Sequence, residues 1–590
     1  MMPIPHLAKV SATNSNVYAA IGHVFSWVMI IMALNLYQER LNIDASYYLF
    51  KVINYEWFRV ECGRLVLALS QIMPLVAVKL GLSMKTVLLA FSVNPPIYYY
   101  IFFNIFLYAF RNIGFALVMV LTQLIGLTHG YFTPMFELYY VVPWILLCYL
   151  LLQREGNWWR YLLMVITAAF ALSSHMAGII LVMFVVGLDF LENRRFRFVY
   201  WFILVFVLGL VFIYKALFPA PYETEIMSFS FDFSRNQRYK NLFDVWYLKT
   251  LIKYFIQYYW EAMLLMGPPI LLLFFTHRRW QLLYVFAAFG GYLLLIQVMY
   301  YAIIMTRYMN QVYFPIVIIS AIVFAYSLKW FPQYLHKLLA ILIVAILISR
   351  LYTLTGLSTD YRSDISMMHN LITKARTMGG SKFTTRYGAV AHDEVIGAHW
   401  SFSIQTMLLS SIEGPDNALT IHFDKYFTGL ALDSNEHLFR FQEAFADSSL
   451  NDKYFRLQPG YYKPLQRNLP DSITEISSWD KLLWNVRNES ILPKNKIVSQ
   501  EVVLDVDRFD TVYVDPLNQI FFSYHWLQNS DTIVWDGIRT AVEVDITGEY
   551  AQRILLQTPT KPGMYTLQVE LVHENVGWFG NGKRYNVEIR

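Results

Sequence analysis

The sequence predicts a polytopic α-helical membrane protein of about thirteen transmembrane helices, followed by an extracytoplasmic region of mixed α/β structure and a β-sandwich. Composition gives the first indication, because 56% of the 590 residues are hydrophobic and only 15% are charged, whereas soluble domains carry roughly 25% charged residues. The second is a division of the chain: apolar runs fill 17–354, while 355–590 has the mixed composition of a soluble domain. The third is the net charge of +5, carried mainly by short loops, a pattern that concerns membrane orientation and not nucleic acid.

The individual spans follow from runs of apolar residues. Several are shorter than the ~20 residues that a straight span needs, so they must pack within a bundle. Pro95-Pro96 interrupts one long run and Ser173-Ser174-His175 another, and each run is either one kinked helix or two helices joined by a tight hairpin. The predicted spans are 17–36, 64–80, 84–94, 97–110, 113–128, 138–153, 159–173, 176–190, 198–217, 259–276, 279–297, 311–328 and 337–354.

Charges in the loops predict which ends of the helices share a side. If the basic connections at 153–160, 193–197, 277–279 and 329–337 are cytoplasmic, the loops 37–63, 129–137 and 218–258 lie outside. Lys79 and Lys85 then lie inside, which requires a hairpin at Pro95-Pro96. The first span lacks a small-residue cleavage site and is expected to be an uncleaved helix with a cytoplasmic N-terminus, leaving the C-terminal region outside.

Three regions result: a transmembrane domain at 1–354, a mixed α/β region at 355–494 and a β-sandwich of immunoglobulin-like type at 495–590. Helical patterns cover 365–378 and 436–446, and a short apolar strand covers 418–421. The run Tyr565–Leu571 alternates strictly after Lys561-Pro562-Gly563, which is typical of a strand after a turn. Further predicted strands are 502–506, 511–514, 520–524, 542–546 and 585–589.

Asp44 is the leading candidate for catalysis. It follows the first span within an amphipathic stretch, where a carboxylate at the water–lipid boundary can act as general base toward a hydroxyl or amine. The alternative is that Asp44 only caps or solvates its helix, and Asn42 and Ser46 nearby fit a cap.

Arg64 and Arg307 open two spans on the predicted outer side. A guanidinium can hold a lipid phosphate through two parallel hydrogen bonds and stabilise charge that develops on it. The alternative is that both arginines reach toward lipid headgroups as anchors.

Weaker candidates surround these residues. Glu137 and Glu39 are possible second acids, and Glu137 could join His129 at a metal ion, although an ordinary loop carboxylate is favoured. His175 is interpreted as a hydrogen-bonded bundle residue. Loop 218–258 interleaves aromatic residues with Arg235 and Arg238, which suits a sugar ring beside a phosphate but equally an interfacial helix.

Other chemistries lack their motifs. The sequence has no Walker loop, dinucleotide-binding glycine pattern, zinc-protease motif or Cys-x-x-Cys. Its two cysteines, Cys62 and Cys148, are not expected to pair. No cofactor is indicated, and dependence on a divalent metal stays open.

The chain resembles the GT-C glycosyltransferases, which include protein mannosyltransferases and the aminoarabinose transferases of lipid A. The likeness covers 17–354 and consists of Asp44 followed by Tyr47-Tyr48, Arg64-Leu65 with Pro74, and Arg307-Tyr308 with Pro315. It implies an inverting transfer of a hexose or pentose from a polyprenyl-phosphate donor to an external glycan, lipid or protein. Asp44 would be the base, while Arg64, Arg307 and Tyr308 would contact the donor phosphate.

The resemblance also suggests that Tyr47, Tyr48, Arg235 and Arg238 bind sugar or acceptor, and that the protein lies in a bacterial inner membrane. The chain departs from the family in one respect: many members have adjacent acids in the first loop, whereas Ala45 follows Asp44 here. Three alternatives stay open: a flippase for a lipid-linked sugar, a glycan polymerase or ligase that uses loop 218–258, and a scaffold subunit.

Overall fold

The computed structural model describes residues 11–218, 245–299, 306–386, 401–424, 436–441, 443–465, 483–487, 491–505, 520–528, 531–535, 537–541, 549–573, 577–578 and 582–590. Its contacts define two compact units. The first comprises Met1–Thr384, Asp393–Phe423 and Ala431–Leu465, and the second comprises Thr385–His392, Asp424–Leu430 and Gln466–Arg590.

Helices dominate the first unit. They are α1 Ala12–Asn35, α2 Asp44–Tyr55, α3 Leu67–Ser70, α4 Ile72–Lys79, α5 Met84–Asn104, α6 Ile113–Ile125, α7 Glu137–Leu152, α8 Trp158–Ser174, α9 Met176–Asn193, α10 Phe198–Leu217, α11 Val245–Phe275, α12 Arg279–Met299, α13 Thr306–Ser327, α14 Leu335–Met378 and α15 Phe402–Ser410. Within the described residues, eight helices are long and apolar enough to cross a membrane. This agrees with the predicted helical, membrane-embedded protein.

The hairpin predicted at Pro95-Pro96 is wrong, because α5 continues through both prolines and ends in a π-helical turn at Ile105–Ala109. Proline is tolerated inside a membrane helix where neighbouring helices satisfy the polar groups around it. Here the Asn94 side chain donates to the carbonyl of Leu69 and to the Tyr140 hydroxyl, both at 2.9 Å. The break predicted near His175 is confirmed, since this residue is extended between α8 and α9 and its Nδ1 accepts from Ala177 N–H.

The helix ends meet at two places in the bundle. One, called the α2 end, holds α2 together with the segments around 37–64, 129–137 and 436–465. The other, called the opposite end, holds the start of α1, where Asn14 donates to Gln333 at 2.9 Å, and the connections in which Lys329 pairs with Glu192.

Lys79 lies at the α2 end, where its ammonium is 3.5 Å from Glu56. Lys79 and loop 37–63, which the prediction put on opposite sides of the membrane, therefore lie at the same end of the bundle. The physical reason is the unbroken α5: the chain crosses the bundle once between 84 and 109, so 64–80 does not have to cross it. That segment forms only the short helices α3 and α4.

Helix α14 joins two predicted elements, the span 337–354 and the helix 365–378. Its 44 residues extend over about 66 Å, and the boundary expected at 354 falls inside it. The outer part of α14 packs at the α2 end, where Tyr361 stacks on Phe132 with ring centres 3.9 Å apart and His369 hydrogen-bonds Gln38 at 2.7 Å.

Residues 382–386, 401–424 and 436–465 form a small region that belongs mostly to the first unit. It contains a sheet of order β2-β1-β5, formed by Thr420–Asp424, Lys382–Arg386 and Lys463–Pro464. The helix predicted over 436–446 is instead an antiparallel pair, β3 Leu438–Phe441 and β4 Glu443–Ala446. Its buried Phe439 stacks on Phe445 at 5.7 Å, which a helix with the same residues would not allow.

The second unit contains two sheets that share a hydrophobic core, the arrangement of a β-sandwich. Trp526 is fully buried in this core and its indole N–H donates to the carbonyl of Gln557 in the other sheet at 2.9 Å. The predicted strands at 520–524, 565–571 and 585–589 are confirmed, whereas 511–514 and 542–546 lie outside the described residues. The strands are β6 Leu483–Arg487, β7 Ile491–Leu492, β8 Ile497–Asp505, β9 Ile520–Gln528, β10 Asp531–Val534, β11 Thr540–Ala541, β12 Glu549–Gln557, β13 Gly563–His573, β14 Gly577–Trp578 and β15 Lys583–Ile589. The larger sheet has the order β10-β9-β13-β15-β7, with β11 paired to β9 and β14 paired to β13, and the smaller sheet has the order β12-β8-β6.

Candidate functional site

Asp44 is the first residue of α2 and is half-buried. The preceding residue, Ile43, has φ 42° and ψ −105°, which costs a β-branched residue on the order of 1–3 kcal/mol. Ile43 occupies the N-cap position and its side chain makes no capping hydrogen bond. A carboxylate in the first turn is stabilised by the helix dipole.

One side of α2 is polar. Asp44, Tyr47, Tyr48 and Lys51 are spaced three or four residues apart and so share a face of the helix. The other face is apolar and packs into the first unit, with Leu49, Val52 and Ile53 fully buried and Phe50 nearly so.

Glu61 gathers the aromatic and basic residues of that polar face. Its carboxylate accepts hydrogen bonds from the hydroxyls of Tyr47 and Tyr48, both at 3.1 Å, and pairs with Lys51. Burial opposes the protonated form of Lys51, but hydrogen bonds to Glu61 and Tyr47 outweigh it and raise the Lys51 pKa. Burial and the Glu61 carboxylate raise the pKa of Tyr48. Both tyrosines are therefore neutral hydrogen-bonding groups at neutral pH.

Arg64 and Glu137 form an ion pair, although the sequence places them 73 residues apart. Both charges are largely shielded, with 20% of the Arg64 side chain and 9% of the Glu137 side chain exposed. The pair ties the start of α7 to the loop after α2. It also means that Arg64 meets any phosphate with its charge already partly compensated.

Glu39, the other predicted second acid, is close to Arg362 of α14, with 3.5 Å between carboxylate and guanidinium. Burial of Glu39 raises the pKa of its carboxyl, and Arg362 only partly offsets that effect. A raised carboxyl pKa is the property that a proton-accepting group near neutral pH needs.

Among the described residues at this end, Arg40 is a buried arginine whose charge is poorly compensated. It is 2% exposed, and among the described residues neither its Nε nor its Nη1 has a hydrogen-bond partner. The Tyr131 ring lies 4.0 Å below the guanidinium carbon. The guanidinium lines a narrow cavity whose wall is formed by Pro95, Pro96, Tyr99, Gln123, Leu127, Tyr131 and Tyr139.

An unpaired buried cation is expensive, by several kcal/mol even after local relaxation. The hydroxyl of Tyr139 at the same cavity also has no partner within the described part of the chain. Unpaired donors that face an enclosed space fit an anion or another strong acceptor. The cavity has room for roughly one water molecule, so a phosphate needs the side chains around it to move apart.

A second buried pair lies deeper in the bundle. Arg350 of α14 and Glu261 of α11 are 2% and 1% exposed, and their charged atoms are 3.7 Å apart. Arg350 also donates to the carbonyl of Ile125 at 2.6 Å. Each lies 14 or 15 residues from its helix end at the opposite side of the bundle, which places both about 21–22 Å from that end.

The remaining predicted residues are described only in part. The backbone of Arg307 and Tyr308 begins α13, but their side chains lie outside the described structure, as do Arg235 and Arg238 entirely. His129 hydrogen-bonds Tyr361 at 3.1 Å. Across the residues that the structure describes, no three His, Cys, Asp or Glu side chains come together as metal ligands would.

Arg40, Glu261 and Arg350 have no role in the sequence-based prediction, although a signal was present for each. Glu261 and Arg350 are charges inside two predicted spans, and ionisable residues within membrane segments usually mark a function. Arg40 stands one residue from Glu39, and only the packing of the loop 129–132 against it reveals that its charge is buried.

Comparison of this chain with protein-family models, curated proteins and solved structures finds no match, so the site is interpreted from its own geometry.

Proposed function

We propose that this chain is an integral-membrane glycosyltransferase of GT-C type, which transfers one sugar from a polyprenyl-phosphate donor to an external glycan, lipid or protein. The observation that carries the proposal is the buried guanidinium of Arg40, whose unpaired N–H groups face a cavity. Arg40 precedes Asp44 by four residues in the sequence. A donor phosphate supplies the acceptor atoms that this guanidinium lacks.

The proposed step is a direct displacement. Asp44 accepts the proton of the acceptor hydroxyl as its oxygen forms a bond to the anomeric carbon. The bond from that carbon to the phosphate oxygen breaks, and the electron pair leaves with the polyprenyl phosphate. Arg40 stabilises the charge on this leaving group, with Arg64 and Arg307 as the further phosphate contacts expected from the sequence.

The residues around Asp44 suit this role. Tyr47 and Tyr48 occupy the same face of α2 and are held by Glu61, so their rings have fixed positions beside the base. Glu39, with its raised carboxyl pKa, is the better second acid, because Glu137 is engaged by Arg64.

A transfer assay tests the proposal. Purified protein in lipid vesicles is mixed with radiolabelled polyprenyl-phosphate sugars and membrane extract, and wild type is compared with Asp44→Asn. We expect label to leave the carrier with wild type only. Asp452→Asn, an exposed acid at the same end, is the control and should transfer at the wild-type rate. Full activity of Asp44→Asn removes Asp44 from the mechanism.

The second candidate is a flippase for a lipid-linked sugar. It is favoured by the buried Arg350–Glu261 pair inside two candidate spans, because charges within the membrane mark transport pathways. In the same vesicles, donor that crosses the bilayer without release of label would support this candidate instead.

A further inference from the structure

The outer face of the larger sheet in the second unit carries an aromatic cluster. Phe522, Tyr524 and Trp526 of β9 point into the sandwich core, so His525 between them points to the other face. His525 is nevertheless only 1% exposed, because two indole rings cover it. The ring centres of Trp535 and Trp578 lie 4.3 Å and 4.2 Å from that of His525.

The two tryptophans present apolar surface to solvent. Trp535 is 60% exposed within the described structure and Trp578 is half-buried, and their ring centres are 6.1 Å apart at an angle of 61°. An exposed indole leaves a large apolar area in water, which is unfavourable unless a ligand covers it.

Hydrogen-bonding groups border the rings on the adjacent strands. Gln568 of β13 is the register partner of His525, and its amide donates to Glu570 at 3.0 Å. Arg584 of β15 donates to the Gln568 carbonyl oxygen at 2.8 Å. On the other side, the Arg539 guanidinium lies 5.1 Å from the centre of the Trp578 ring.

We propose that this cluster, formed by Trp535, Trp578, Gln568, Arg584 and Arg539, is a carbohydrate-binding site. A pyranose ring has an apolar face of C–H groups and a rim of hydroxyls. The indoles match the apolar face, and the amide and guanidinium groups match the hydroxyls.

The composition favours a sugar over a protein partner. A stable protein interface buries roughly 800 Å² on each side over 20–30 residues, and its centre is depleted of charge. Among the described residues the apolar area consists of two rings, and charged groups lie directly beside them. The inference is independent of the transferase proposal, because binding is measured without any donor.

Glycan-array binding of the full chain in detergent tests the site, with neutral and acidic oligosaccharides of hexoses and N-acetylhexosamines as probes. We expect wild type to bind a subset of these, and Trp535→Ala to weaken that binding at least tenfold. Ile533→Ala, an exposed residue of the same hairpin, is the matched control and should bind like wild type.

Arg584→Met keeps the result interpretable if Trp535→Ala disturbs folding. It removes one polar group from the border without touching the aromatic packing, and should weaken binding several-fold with an unchanged melting temperature. The proposal is overturned if wild type binds no array member, or if both variants bind as wild type does.

Discussion

At the scale of single residues, Arg40 is a buried charge whose expected role is in function and not in the stability of the fold. Its guanidinium is enclosed, has unpaired N–H groups and stacks on one tyrosine ring. Replacing a poorly compensated buried ion with an apolar residue of similar volume is often neutral or stabilising by about 1–4 kcal/mol. A residue that the fold does not need for stability must be explained by what it binds.

We therefore predict that Arg40→Met keeps or raises the melting temperature and lowers sugar transfer at least a hundredfold, the size of loss seen when one group that stabilises developing charge is removed. Arg59→Met is the matched control, since Arg59 stacks on Tyr55 at 3.6 Å in the same region. Thermal unfolding and the transfer assay are measured on the same preparations. A melting temperature lowered by several degrees with normal transfer would make Arg40 a structural residue.

Arg64 illustrates what a sequence cannot tell about a charge. Its position at the start of a predicted span led to the prediction that Arg64 binds phosphate, but in the structure Arg64 forms an ion pair with Glu137. Arg40 stands in the same region of sequence and has no such partner in the described structure. The difference depends on contacts across 73 and 91 residues, with the first residue of α7 and with the segment before it, and no local pattern carries that information.

Among the elements, α2 connects the candidate site to the segment 449–453. Asn54 donates to the carbonyl of Ser449 at 2.9 Å, and Glu56 just after the helix accepts from Asn451 at 3.1 Å and from Lys453 at 3.3 Å. These hydrogen bonds favour the ionised carboxylate and lower the pKa of Glu56. The contact is thus expected to depend on pH.

The sign follows from proton linkage. A carboxyl with a depressed pKa binds fewer protons in the folded state, so its stabilisation is present above the ordinary value of about 4.3 and is lost as pH falls through the lower folded pKa. We predict that amide-exchange protection of 449–456, corrected for intrinsic rates, falls below about pH 4 in wild type. Glu56→Gln should lose this protection already at neutral pH, whereas Glu413→Gln, an exposed acid elsewhere in the unit, should not. Equal protection in Glu56→Gln and wild type at neutral pH would contradict the prediction.

Elements could be predicted from sequence where the pattern is local. The strand Tyr565–Leu571 alternates strictly and lies within β13, and α1 contains nearly all of the first apolar run. The predicted secondary structure was wrong at two places where the surrounding structure determines the conformation of the chain. Pro95-Pro96 breaks a helix in water, but α5 continues through both prolines, which are buried inside the bundle. The apolar residues of 436–446 pair across a hairpin instead of along one helix face.

For the whole molecule, the contacts at the helix ends give a consistent course for the chain. The eight candidate spans, with the shorter helices α6, α7 and α8, alternate between the α2 end and the opposite end. The opposite end holds the basic connections at 154–160, 194–197, 277–279 and 329–337. The change from the predicted arrangement, an unbroken α5, leaves these four connections at one end and moves Lys79 and Lys85 to the α2 end, so these two lysines depart from the rule on basic loops.

This course predicts which positions an impermeant maleimide can reach. In a background of Cys62→Ser and Cys148→Ala, we expect Lys85→Cys and Asp452→Cys, both exposed at the α2 end, to react in intact cells. Arg195→Cys, exposed at the opposite end, should react only after the membrane is permeabilised, because we expect a connection this rich in basic residues to be cytoplasmic. The Lys85 position decides between the two arrangements: a hairpin at Pro95-Pro96 puts it with Arg195, whereas the unbroken α5 puts it with Asp452. Labelling of Lys85→Cys only after permeabilisation would therefore mean that the chain crosses the membrane between 64 and 84, and that α5 does not span it as one helix.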